Sequence, residues 1–132
     1  MSSLTSTKDT IMRDELFKEM TNQNPWWVKS GFDFPEASWS HRAYFDRMVN
    51  ELSRRQIIGI TGLRRVGKTT MIRQLISRLL AQSIDPLHIF YFSFDEALIA
   101  RNPQILEEVI EGYIERILVT KVFDLNQNVY IF

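Results

Sequence analysis

Eight residues near the middle of the chain carry the chemistry: Gly62-Leu63-Arg64-Arg65-Val66-Gly67-Lys68-Thr69, with Thr70 directly after them. They fill every fixed position of the pattern G-x-x-x-x-G-K-[ST]. Each fixed position has a physical task. The glycines admit backbone angles that side chains oppose, so successive N–H groups turn toward one point and form a nest for an anion. A helix starting near Lys68 adds its positive dipole end. The Lys68 ammonium reaches the β- and γ-phosphates of a nucleoside triphosphate, the Thr69 hydroxyl ligates Mg²⁺, and the Thr70 hydroxyl turns toward the α-phosphate. The plain alternative is a glycine turn with a surface lysine. A complete pattern set between a strand and a helix outweighs that alternative. Arg64 and Arg65 either add positive field at the phosphates, meet a neighbouring subunit, or stand solvated in the loop.

The elements that must position this loop can be read from periodicity. Upstream, QIIGIT is a short apolar, β-branched run and reads as a buried strand. Downstream, Met71, Ile72, Leu75, Ile76, Leu79 and Leu80 form a broad helical stripe, with Arg73, Gln74, Ser77 and Arg78 facing out. Asp85-Pro86 closes that helix, and LHIFYFSF follows as a second apolar strand. Asn102-Pro103 is a start signal for a further helix, an N-cap with proline in the first turn. That helix carries Ile105, Leu106, Val109, Ile110, Tyr113, Ile114, Ile117 and Leu118, and NVYIF is a third strand. Strand and helix alternate, which implies parallel pairing with helices on both faces, the α/β class.

Before this core lie two further segments. Residues 1–8 form a polar tail. Residues 9–20 place Met12, Leu16 and Met20 on one helix face, flanked by Ile11 and Phe17, and Pro25 ends the helix. The stretch PWWVKSGFDFPEASW reads as an ordered loop whose aromatics pack down, followed by a helix over residues 40–52 with Ser40 as N-cap. The expected organisation is a tail and helix over 1–25, an aromatic loop and helix over 26–56, and a nucleotide-binding core over 57–132.

Bulk properties narrow the class further. With 132 residues the chain fits one domain, and 45% hydrophobic residues supply a core. Lys+Arg and Asp+Glu are 16 each, so bulk charge draws the chain toward neither nucleic acid nor acidic membrane. Arg54-Arg55 and Arg64-Arg65 are two dipeptides and do not make a basic stripe. There is no cysteine, no signal-peptide h-region and no apolar run of the length a membrane span needs. A reducing cytoplasm is the expected setting.

Together, NPWW, the helix around SHRAYFDRMVNEL, RRQIIGITGLRRVGKTT and HIFYFSFDE resemble the prokaryotic AAA-type ATPases of the archaeal-ATPase-like group. The resemblance covers residues 24–132. It implies a P-loop three-layer sandwich with a parallel sheet, preceded by a helical N-terminal segment. It also implies ATP and Mg²⁺ as cofactors, with Gly62, Leu63, Arg64, Arg65, Val66, Gly67, Lys68, Thr69 and Thr70 around the nucleotide. Such proteins carry an acidic pair after the third strand, and here NVYIF stops where those acids should begin. The expectation is therefore the N-terminal part of an ATPase domain, truncated on its C-terminal side, in which nucleotide binding is written and hydrolysis is not. The alternatives are a non-hydrolysing nucleotide-binding or interaction module and a nonfunctional truncated product. In the strand order 5-1-4-3-2 that the resemblance implies, QIIGIT lacks both neighbours and NVYIF lacks one, so self-association or a protein partner is expected.

Other residues carry weaker signals. Asp95-Glu96 follow the second strand and are a rival acidic pair for Mg²⁺ or water. Only one helix separates them from Lys68, where the family places its acids one strand later. Trp26, Trp27 and Trp39 are core aromatics or part of an adenine pocket. His41 and His88 lie far apart and have no cysteine partners. No N-K-x-D occurs to read guanine.

Overall fold

The computed structural model describes residues 6–40, 43–54, 59, 67–93, 104–120 and 128–132, giving the backbone alone for 6–13. Four α-helices and two strands follow in the order α1 (Ser6–Gln23), α2 (Phe45–Glu51), α3 (Lys68–Ala81), β1 (Ile89–Phe90), α4 (Ile105–Gly112) and β2 (Tyr130–Ile131). Short 3-10 turns at Pro25–Trp27, Pro35–Ser38 and Pro86–His88 each begin on proline, whose fixed φ suits the first position of a helical turn. A π-helical stretch, Tyr113–Ile117, prolongs α4. Among the described residues no helix is long and apolar enough to cross a membrane.

The two strands pair in parallel, Ile89 opposite Tyr130 and Phe90 opposite Ile131. Two further bonds extend the ladder: Phe132 N–H donates to the Phe90 carbonyl at 2.8 Å, and Phe92 N–H donates to the Phe132 carbonyl at 3.2 Å. β1 carries side chains to both faces, as a pleated strand must. Phe90 and Phe92 enter a cluster with Met20 of α1 and with Val109, Tyr113 and Ile114. Ile89 packs against Ile76 and Leu79 of α3 and against Trp26. A third cluster joins Phe45 of α2 to Met71 and Leu75 of α3. Thus α3 covers one face of the sheet while α1 and α4 cover the other.

These observations revise several expectations. The described residues form a helical structure with a two-stranded parallel sheet, short of a full sandwich, and QIIGIT lies outside them except for Gly59. The second strand is far shorter than LHIFYFSF because Pro86 winds Leu87 and His88 into a 3-10 turn, and because Tyr91 and Ser93 bond to side chains instead of a strand. α1 already begins at Ser6, within the stretch expected to be a polar tail. The helix expected from Ser40 begins at Phe45, with Tyr44 as its N-cap. α4 starts at Ile105 after Gln104, and Asn102-Pro103 lies outside the described residues.

Candidate functional site

The phosphate-loop pattern converges on the start of α3. Gly67 takes φ +89°, a left-handed conformation that opposes any side chain, and it is the residue on which α3 begins. Among the described residues no side chain caps this helix end, and no acidic residue lies in its first turn. A helix start of this kind carries the positive end of the helix dipole, which favours an anion. Lys68, the first helical residue, is half-buried; Thr69 is exposed and Thr70 half-buried. Gly62, Leu63, Arg64, Arg65 and Val66 lie outside the described residues, as do Asp95, Glu96 and His41.

One turn further along, α3 is clamped to the segment before it. The carboxylate of Glu36, itself buried, accepts from the Arg73 guanidinium at 2.5 Å. Arg73 also lies over the Phe34 ring, 5.5 Å from its centre. The buried amide of Gln74 donates to the carbonyls of Glu36 at 3.1 Å and Trp39 at 3.3 Å. Gln74 and Ser77 were expected to face solvent. Both are buried, because the Pro35–Ser38 turn packs on that side of α3. Glu36's own backbone N–H holds its carboxyl below the ordinary range, and Arg73 adds to that effect against the opposing pull of burial. The second Glu36 oxygen is buried with no hydrogen-bond partner.

The three tryptophans separate. Trp26 is buried and its indole N–H donates to the Ile89 carbonyl at 3.0 Å; the Trp27 indole donates to the same carbonyl at 2.9 Å. Trp27 also stacks near Phe90 and Tyr113, with centroids at 5.7 and 5.8 Å. These two are core residues. Trp39, by contrast, is 54% exposed; its backbone carbonyl accepts from Gln74 and its N–H donates to the Glu36 carbonyl at 3.0 Å. His88 lies 3.9 Å from Asp85 at the opposite end of α3 from the loop.

Sequence reasoning did not single out Glu36, Arg73 and Gln74. A carboxylate, a guanidinium and an amide on an amphipathic surface read as solvated residues. The one hint was the aromatic segment PWWVKSGFDFPEASW, read as an ordered loop that packs down, without a partner face named for it.

A family model described as an AAA domain matches residues 54–132, more than half of the chain. No curated protein and no solved structure matches it.

Proposed function

The chain belongs to the AAA domain family, and we propose that it binds ATP with Mg²⁺ through residues 62–70. Members of this family are nucleotide-binding, ATPase-like domains. The observation that carries the finer reading is the left-handed Gly67 standing at the start of α3, where the phosphate-loop pattern requires it. The residues present fit the ligand. A helix N-terminus whose first turn holds no acidic residue favours a polyanion, and the exposed Thr69 offers a hydroxyl oxygen to a cation beside it. Lys68 neutralises the outer phosphates, and Thr70 adds a hydroxyl donor. ATP, when bound, supplies a transferable phosphoryl group. The chain's own residues hold that group and orient it, which is where most of the work lies in phosphoryl chemistry.

Each charge-assisted hydrogen bond contributes about 1.5–3 kcal/mol. Several together reach micromolar affinity, about −8 kcal/mol, after the cost of association. Trp39 is the one of the three tryptophans whose ring remains available to a base, because Trp26 and Trp27 are committed to the core.

Titration of the full chain with a fluorescent ATP analogue in the presence of Mg²⁺ tests the reading. Lys68→Ala is expected to weaken binding by about 2–5 kcal/mol, the usual loss when one member of a desolvated charge pair is removed. Lys29→Ala, at an exposed lysine remote in sequence from the loop, should leave affinity unchanged. Equal affinity in wild type and Lys68→Ala would remove the loop from the site.

A further inference from the structure

β1 has two edges, and among the described residues only one of them faces a strand. Phe90 and Phe92 direct their backbone groups to β2. Ile89, Tyr91 and Ser93 direct theirs the other way; side chains from residues 23–27 meet four of these groups, and the Ile89 N–H donates to the Pro86 carbonyl. Asn24, fully buried, presents its carboxamide as a peptide group would: Oδ1 accepts from Tyr91 N–H at 2.7 Å, and Nδ2 donates to the Tyr91 carbonyl at 2.8 Å. The same Nδ2 donates to the Met20 carbonyl at 2.7 Å, which fixes the amide's orientation. Gln23 Oε1 accepts from Ser93 N–H at 2.7 Å, while its Nε2 is held by Glu19 at 3.0 Å. The indoles of Trp26 and Trp27 both serve the Ile89 carbonyl. The four groups occupied, Ile89 C=O, Tyr91 N–H, Tyr91 C=O and Ser93 N–H, alternate along the strand in the way an added strand would use them.

We propose that residues 23–27 are an edge guard: they occupy the open side of β1 so that a second copy of this chain cannot add its own β1 there. The protected stretch IFYFS is aromatic, β-prone, uncharged and free of proline and glycine, the composition that pairs with copies of itself once its edge is bare. Nature commonly blunts such an edge with charge or proline; here an amide, a second amide and two indoles complete its hydrogen bonds. The guard lies outside the family-matched stretch, so the family pattern alone does not carry it.

Amide hydrogen exchange on the full chain, read at Tyr91 and Ser93 across a concentration series and paired with sedimentation, decides the matter. In Asn24→Ala, protection at the Tyr91 amide should fall by about 100-fold at low concentration, the loss expected when both bonds of a buried amide to that residue are removed, while Ser93, held by Gln23, should change less. As concentration rises, protection should return together with a doubling of mass. Val109 and Ile114 report whether the core is intact. If they also lose protection, Gln23→Ala, which removes only the Ser93 acceptor, takes the place of Asn24→Ala, with Ser93 as the reporter. Adding Ser93→Pro to Asn24→Ala removes a donor that a new strand needs and should restore the wild-type mass. Unchanged protection at low concentration, protection that does not return on association, or association that survives Ser93→Pro overturns the proposal.

Discussion

Val119 holds φ +50° and Ser83 holds φ +63°, both in the left-handed region that ordinarily belongs to glycine. Ser83 has a clear reason. Its N–H reaches the Leu80 carbonyl at 3.1 Å and the Ile84 N–H reaches Leu79 at 3.2 Å, the paired bonds of a Schellman cap that ends α3. Val119 ends the π-helical stretch in a related way, with Thr120 N–H on the Ile114 carbonyl at 3.2 Å. A β-branched side chain there is the more strained of the two, and Val119 is 81% exposed, so little burial is lost by removing it. Val119→Gly is expected to stabilise the chain by about 1 kcal/mol, the cost of a left-handed L-residue. Ser83→Gly should stabilise it by a smaller amount, and urea denaturation measures both. At Glu36 the question is pH. Its carboxyl titrates below the ordinary 4.5, held down first by its own backbone N–H and then by Arg73. A depressed acid stabilises the fold at every pH above that ordinary value, and the stabilisation disappears as pH falls through the lowered one. Glu36→Gln should therefore flatten the acid limb of a stability–pH curve between pH 5 and the lowered value, to about the extent that Glu36 drives it. An acid limb unchanged by the substitution would place the driving group elsewhere.

At the scale of elements, α3 does two things at once. Its first turn carries the candidate phosphate site, and its next turn is fixed to the Pro35–Ser38 segment through Gln74 and Arg73. Removing the Gln74 amide takes one donor from the Trp39 carbonyl and leaves the Glu36 carbonyl with the Trp39 N–H alone. Gln74→Ala should destabilise the chain by about 1–3 kcal/mol, the net worth of the two hydrogen bonds lost at about 0.5–1.5 kcal/mol each. Chemical denaturation supplies that number, and a change under 0.5 kcal/mol, the range of ordinary surface substitutions, would mean that water replaces the amide fully. The same helix shows what periodicity can and cannot reveal. Met71, Leu75, Ile76 and Leu79 were legible as a stripe because burial of apolar side chains repeats with the helix. Gln74 and Ser77 were not, because a polar residue is buried only when a distant segment brings it a partner, and 3.6-residue spacing says nothing of distant segments. Proline at 25 correctly stopped α1, yet Asn24 before it read only as a helix terminator. Its true task, completing the edge of β1 from 67 residues away, has no local signature. The left-handed angle of Gly67 was legible because its requirement is local: few other residues tolerate it.

On the scale of the whole molecule, the family-matched stretch begins at Arg54, yet much of what covers its core lies before it. Trp26 packs on Ile76 and Ile89, Phe45 on Met71 and Leu75, and Met20 on Phe90 and Tyr113. Burial of the Tyr113 ring pushes its phenol well above the usual range, with the Asp85 charge adding to the shift. That burial depends on Met20 and Trp27 as well as on the sheet. Aromatic side chains bury about 150–250 Å² each, so losing Trp26, Trp27 and Phe45 together forfeits about 500 Å² on their side of the contact alone. At about 25 cal/mol per Å² this is about 12 kcal/mol as an upper bound. Domains of this size hold only about 5–15 kcal/mol of net stability. A chain reduced to residues 54–132 also strips the β1 edge of Asn24 and Gln23, and it strips Arg73 of Glu36. Such a fragment retains every residue of the matched family stretch and the whole phosphate-loop pattern. It is nonetheless expected to show no cooperative thermal transition by circular dichroism, where the 132-residue chain shows one. A sharp melt from the fragment would mean that residues 6–53 decorate a core that stands without them. The absence of a melt would mean that the helix and aromatic loop are part of the fold that positions the start of α3.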